Sequence, residues 1–370
     1  KMEIKVWFSS LKYISLLLLP FFLSGCMASK TWQPKTDTPK KVVFMIGDGM
    51  GLGQITAALY STPRFRLNLE RFPVIGLIKT HAVDNLITDS AAGATAFASG
   101  CKTYLGAIGV NRDTLPVRTI FEIAQRKEIR TGLVVTSEIT HATPACFYAH
   151  QPLRTMNEQI AEDLTLSKVD LAIGGGKKYF QHRYDRQNLI QVMEENNVRV
   201  IPEEPKWKQL DVNADERLVC FTANLQPKRK VKGRNYLAPA SQFALNFLNK
   251  KGGKGFMLVI EGSQIDWGGH ANDSNYIISE TLDFDKAIGK VLDFAEKDGE
   301  TLVVVTADHE TGGYSVKNGS RRGNLKTGFT TGSHTATMVP VFAYGPGSEK
   351  FAGIYNNTEI FNKIRNALGI

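Results

Sequence analysis

Six short runs along the chain are apolar at nearly every position: 41–46, 132–136, 169–173, 255–260, 301–306 and 339–343. A strand with one wet face alternates apolar and polar residues. Near-continuous apolar runs instead predict strands covered on both faces, as in a mostly parallel sheet. Between the runs the period changes. Residues 119–127 place Ile120, Ile123 and Ala124 together, and 276–296 place Ile277, Leu282, Ile288 and Leu292 at helical spacing. Strand and helix in alternation predict an α/β fold: a three-layer sandwich around a central, mostly parallel sheet, spanning 41–370. Inside it, 177–240 is rich in Lys, Arg, Asn, Gln and Glu with weak strand signals, and reads as a peripheral insertion. The basic, Gly-rich stretch 317–331 reads as an exposed loop.

The start of the chain follows another pattern. Lys1, Lys5 and Lys12 lead into an apolar run over 13–23. That run is shorter than the roughly 20 apolar residues of a membrane-spanning helix and has the form of an export signal, here 1–25. It ends in Leu23-Ser24-Gly25-Cys26, which resembles the lipobox of bacterial lipoproteins. The resemblance implies cleavage before Cys26 and a lipid on its thiol. The protein would then be exported to the periplasm or cell surface and held to the membrane by that lipid, with 26–40 as a linker. An ordinary secretory signal with a chance cysteine is the other reading.

The chain carries a net charge of +9; three Lys and one Glu lie in 1–25, so the remainder keeps +7. That balance suits an anionic substrate or surface, and no segment resembles a nucleic-acid-binding module. Apart from Cys26, three cysteines remain, Cys101, Cys146 and Cys220, without a Cys-x-x-Cys clip. At most one disulfide is expected.

Ligands of open α/β sheets bind beyond the carboxyl ends of the strands, so the residues following each apolar run carry the chemistry. Asp48 follows the first run, Glu261, Asp266 and His270 the fourth, and Asp308 and His309 the fifth; His334 precedes the sixth. Any one of these is an ordinary turn or cap residue. Together they bring four carboxylates and three imidazoles toward one edge. Divalent cations relieve the repulsion of gathered carboxylates, and mixed Asp/His ligation favours zinc. Ser90 opens the Ala-rich, helix-forming stretch 90–96. It is either the cap of that helix or a nucleophile beside an anion held by the helix N-terminus. A metal neighbour can activate its hydroxyl. No Gly-x-Ser-x-Gly elbow is present, which disfavours an esterase triad.

Taken together, Phe44-Met-Ile-Gly-Asp48-Gly-Met-Gly51, Thr88-Asp-Ser90-Ala-Ala, His141-Ala-Thr143-Pro-Ala, Glu261-Gly-Ser-Gln-Ile-Asp266 with His270, Thr306-Ala-Asp308-His309-Glu-Thr-Gly-Gly and Gly332-Ser-His334-Thr resemble the motifs of alkaline phosphatases, in the family's order. The resemblance implies that Asp266, His270 and His334 bind a first zinc. It implies that Asp48, Asp308 and His309 bind a second, beside Ser90. It also implies that Asp48, Thr143 and Glu261 form a third site, usually magnesium. Arg154 stands where the family's phosphate-clamping arginine is expected, so Ser90, Arg154 and His141 would face the substrate. His141 and Trp267 occupy positions where some bacterial members carry Asp and Lys and others His and Trp; a histidine there leaves zinc open as the third metal. The implied activity is hydrolysis of phosphate monoesters through a phosphoserine, on small phosphorylated substrates. A metal-dependent phosphodiesterase or sulfatase of the same fold is the second reading, disfavoured by Ser90 within Asp-Ser-Ala and by the third site. A non-catalytic, lipid-anchored binding protein is another. The stretch between His309 and His334 lacks the larger subdomain of many members, so a homodimer is left open.

Overall fold

Ten strands hydrogen-bond into one central sheet in the computed structural model, which describes residues 38–211, 216–249 and 253–370. The expected export signal and Cys26 lie outside the described residues. Chain order gives β1 (Lys41–Gly47), β2 (Val74–Lys79), β3 (Arg130–Glu138), β4 (Leu171–Gly175), β5 (Val198–Ile201), β6 (Arg217–Phe221), β7 (Phe256–Gly262) and β8 (Thr301–Thr306). There follow the short β9 (Glu310–Thr311), β10 (Ser315–Val316), β11 (Thr327–Gly328) and β12 (His334–Thr335), then β13 (Val339–Tyr344) and β14 (Gly353–Asn356). The sheet order is β14-β2-β13-β8-β1-β7-β3-β4-β6-β5, and β9/β12 and β10/β11 form two small ribbons. Every adjacent pair in the large sheet is parallel except those of β13, which runs antiparallel to β8 and β2.

The expected α/β architecture is present, and each of the six apolar runs overlaps a strand of the central sheet. Val42–Ile46 of β1 are fully buried, as a central parallel strand requires. The helix Ser274–Asp298 begins at Asp273, whose carboxylate caps Asn275 and Tyr276, and stops at left-handed Gly299 (φ 75°). The helix Ile120–Arg126 is closed at its start by a capping box between Thr119 and Glu122. Helices Leu237–Asn249 and Ser274–Asp298 pack on each other and on the sheet, and helices Ser90–Ser99, Ile120–Arg126, Ala142–Ala145 and Thr358–Leu368 form a second group.

Four strands of the central sheet were not legible as apolar runs. β2 and β14 lie at one margin, where burial is mixed along the strand. β5 and β6 come from the polar segment 177–240 and extend the sheet at its other margin. Cys101, Cys146 and Cys220 are free thiols. Among the described residues no helix is long and apolar enough to cross a membrane.

Candidate metal centre

Strand register alone brings the acidic residues together. Ile46 of β1 lies opposite Glu261 of β7 on one side and Thr306 of β8 on the other. Asp48 and Asp308, each two positions beyond those partners, therefore emerge side by side at the carboxyl edge, next to Glu261. The turn after β1 is tight: Gly49 is left-handed (φ 73°), and a Cβ there would lie 2.7 Å from the Asp266 Cα. Its amide donates to Asp308 Oδ1 at 3.2 Å.

Three donor groups result, in each of which the ligand atoms lie within 4.8 Å of one another: Asp266, His309 and His334; Asp48, Asp308 and His309; and Asp48, His141 and Glu261. Around the first, His334 Nε2 is 3.5 Å from Asp266 Oδ1, and His270, which is not one of the three, has its Nε2 3.4 Å from the same oxygen. His270 Nδ1 is 2.8 Å from the Gly332 carbonyl and His334 Nδ1 2.8 Å from that of Thr88. Each carbonyl demands the proton on Nδ1, which turns an Nε2 lone pair inward. Thr311 fixes the rest: its hydroxyl donates to Asp266 Oδ1 at 2.5 Å and lies 3.2 Å from His309 Nδ1. His309 stacks on His334 with ring centres 3.6 Å apart.

In the second group His309 Nε2 stands 3.6 Å from Asp48 Oδ1 and 3.3 Å from Asp308 Oδ2, all fully buried. Both Asp48 oxygens and Asp308 Oδ2 lack a hydrogen-bond partner among the described residues. Burial raises the Asp48 carboxyl well above its ordinary range, and Asp308, Asp266 and Glu261 add to the effect. In the third, Glu261 Oε2 accepts from Ser263 Oγ at 2.6 Å, while Oε1 has no partner among the described residues. Burial pushes Glu261 up to about 7, against the Ser263 and Thr143 hydroxyls. Burial lowers His141 to about 3, with Arg154 contributing, so its ring is neutral. Trp267 meets that ring edge-on at 5.9 Å.

Orphaned, buried carboxylate oxygens cost several kcal/mol per ion unless a cation meets them. The orphans here point at one another and at imidazole lone pairs. This donor chemistry fits divalent cations, with Asp/His sets suited to zinc and the oxygen-richer Glu261 set to a harder ion.

Ser90 is the first residue of the helix Ser90–Ser99, but it is not the cap: Asp89 is, accepting from Ala92 N at 3.0 Å. The serine hydroxyl is thereby left to the site, 3.4 Å from His309 Nε2. Asp89 also pairs with Arg154 Nη1 at 2.9 Å and accepts from the Gly106 amide. Burial opposes ionisation of Asp89, yet the Arg154 charge and these amides hold it below the usual carboxylate range. Arg154 Nη2 lies 3.3 Å from His141 Nε2.

All eleven residues singled out from the sequence lie at this edge or in the loops beside it. Thr143 is buried in the short helix Ala142–Ala145. Sequence reasoning passed over Asp89, Thr311 and Ser263; only Asp89 had a signal, the Asp that starts an Ala-rich run.

The fold and this donor set are those of an α/β metal-dependent hydrolase. The chain belongs to the alkaline phosphatase family, whose sequence model matches residues 39–327 and 319–370. It is 34% identical to alkaline phosphatase 3 of Bacillus subtilis, over 93% of both chains. It is 30% identical to streptomycin-6-phosphate phosphatase of Streptomyces griseus, covering 90% of this chain and 91% of that one. The structure of alkaline phosphatase from the Antarctic bacterium TAB5 matches with a TM-score of 0.85 and 45% identity, over 90% of this chain and 99% of that one. A variant of that enzyme with a histidine replaced by aspartate holds Mg in its M3 site. The chain is thus a metal-dependent phosphomonoester hydrolase.

Proposed function

We propose that the chain cleaves phosphate monoesters with Ser90 as nucleophile, at a centre of two zinc ions and a third ion. Asp266, His270 and His334 would hold the first zinc, and Asp48, Asp308 and His309 the second, beside Ser90. Asp48, Thr143 and Glu261, with His141 adjacent, would hold the third, magnesium or zinc. Support for magnesium comes from the TAB5 variant. When bound, the ions lower the pKa of the serine hydroxyl and neutralise charge on the leaving oxygen. Ser90 Oγ attacks phosphorus in line, the ester oxygen departs, and a phosphoserine forms. Water then attacks that phosphoserine and inorganic phosphate leaves. Arg154, held by Asp89 at the start of the Ser90 helix, pairs its guanidinium with two non-bridging oxygens. The helix N-terminus directs backbone amides at the same charge.

The observation that carries this reading is the placement of the Ser90 hydroxyl. It lies outside the helix cap and 3.4 Å from His309 Nε2, beside carboxylates without partners. The test is a panel of mono- and diesters given to chelated protein with zinc and magnesium added back. Restored release of phosphate from monoesters supports it; preference for diesters or sulfate esters contradicts it.

The same proposal includes export and a lipid on Cys26, supported by the 1–26 pattern. Cys26→Ala should move the protein from the detergent phase to the aqueous phase; unchanged partitioning would reject the anchor. A homodimer, carried over from the resemblance, is tested by sedimentation.

A further inference from the structure

Glu310 sits between two residues of the centre, His309 and Thr311, and has no part in the reading above. Its residue is 5% exposed. Its carboxylate accepts four hydrogen bonds: Oε1 from Gln54 Nε2 at 2.8 Å and the Tyr314 amide at 3.0 Å, Oε2 from the Gly313 amide at 3.1 Å and Thr335 Oγ1 at 2.5 Å. These donors come from three separate stretches, and each stretch carries or adjoins a proposed ligand. Gln54 lies in the helix Leu52–Ser61, just after the Asp48 turn, and its Oε1 accepts from the Gly51 amide at 3.1 Å. Gly313 and Tyr314 follow β9, next to His309. Thr335 follows His334 in β12.

β12 needs such help. It pairs with β9 through two residues only, His334 with Thr311 and Thr335 with Glu310. A ribbon that short is marginal by itself. Ala336, Thr337 and Met338 beyond it are exposed, so apolar packing does little to hold it. The stem of Glu310 is pressed against the Asp48 side as well: a Cβ at Gly51 would lie 2.5 Å from Glu310 Cγ.

We propose that Glu310 is a positioning residue. Through Thr335 it pins β12, which carries His334, to β9, which directly follows His309, and so sets the lifetime of the ion held by Asp266, His270 and His334. The inference rests on the ligand assignment proposed above. Charge-assisted bonds of this kind are stronger than neutral ones, and partners that orient ligands typically govern metal affinity by about 10–100-fold.

The test measures zinc release from loaded protein to a chromophoric chelator, without reference to activity. Glu310→Gln keeps the stem and replaces one acceptor oxygen by an NH2 that faces N–H and O–H donors. One zinc should leave about 10–100-fold faster, the other at the wild-type rate. Thr335→Val removes one hydroxyl and should accelerate the same ion, with Thr335→Ser restoring it. If Glu310→Gln does not fold, the Thr335 pair decides. Wild-type release of both ions, or equal acceleration of both, overturns the pin. His334→Ala separates the two proposals: should that variant keep both ions at wild-type lifetimes, the ligand assignment fails and not merely the pin.

Discussion

The Nε2 atoms of His270 and His334 face each other at 3.1 Å, while the Nδ1 of each ring lies 2.8 Å from a backbone carbonyl. Two lone pairs at that distance repel; a proton or a cation between them and Asp266 resolves the conflict. Asp266 raises His270 to about 9, and raises His334 too although burial acts against it. Protons therefore compete with the zinc proposed for this site. Because a raised pKa keeps the metal-free ring protonated to higher pH, zinc affinity should climb as pH rises from about 6.5 toward 9 and then level off. Calorimetric titration of chelated protein across that range checks this. Affinity that is flat or falls with pH would refute it.

Glu261 gives the opposite sign for the metal-free fold. Its folded pKa of about 7 lies above the ordinary glutamate value of 4.5, so the folded state binds the proton more tightly. Its contribution is full below about pH 4.5 and is lost as pH rises through 7. Chelated protein should thus melt at lower temperature at pH 8 than at pH 5, and Glu261→Gln should reduce that slope. Metal-loaded protein should lack this loss. Melting curves of both forms against pH are the check, and a slope unaffected by Glu261→Gln would count against it.

Arg154 stands between Asp89 and His141, and its proposed task is to hold phosphate oxygens. Loss of two charge-assisted bonds worth about 1.5–3 kcal/mol each should weaken inhibition by inorganic phosphate by about a hundredfold or more in Arg154→Ala. Arg154→Lys should recover part of this, since it keeps the charge without the planar fork. Competitive inhibition constants measure it; unchanged values would remove Arg154 from the substrate.

Much of this centre is legible in the sequence because parallel strands end in one place. An apolar run marks β1, β7 and β8, and the polar residues at their ends must then lie at the common edge, as Asp48, Asp308 and Glu261 do. The remaining features depend on contacts between distant segments, which periodicity does not encode. Glu310 and Thr335 meet only because β9 and β12 pair. Asp89, rather than Ser90, is the helix cap, although both residue types suit that position. β5 and β6 escaped notice because they lie at the sheet margin within a segment whose polar helices and turns dominate its composition.

The central claim is that Ser90 carries the phosphoryl group. Metal-loaded protein incubated with radiolabelled phosphate and quenched at low pH should yield label on one peptide, at Ser90 within Thr88-Asp-Ser90-Ala-Ala. Ser90→Ala should lose that label and cut turnover by about a thousandfold or more while keeping its zinc. Label on any other residue, or turnover that survives in Ser90→Ala, would contradict the account.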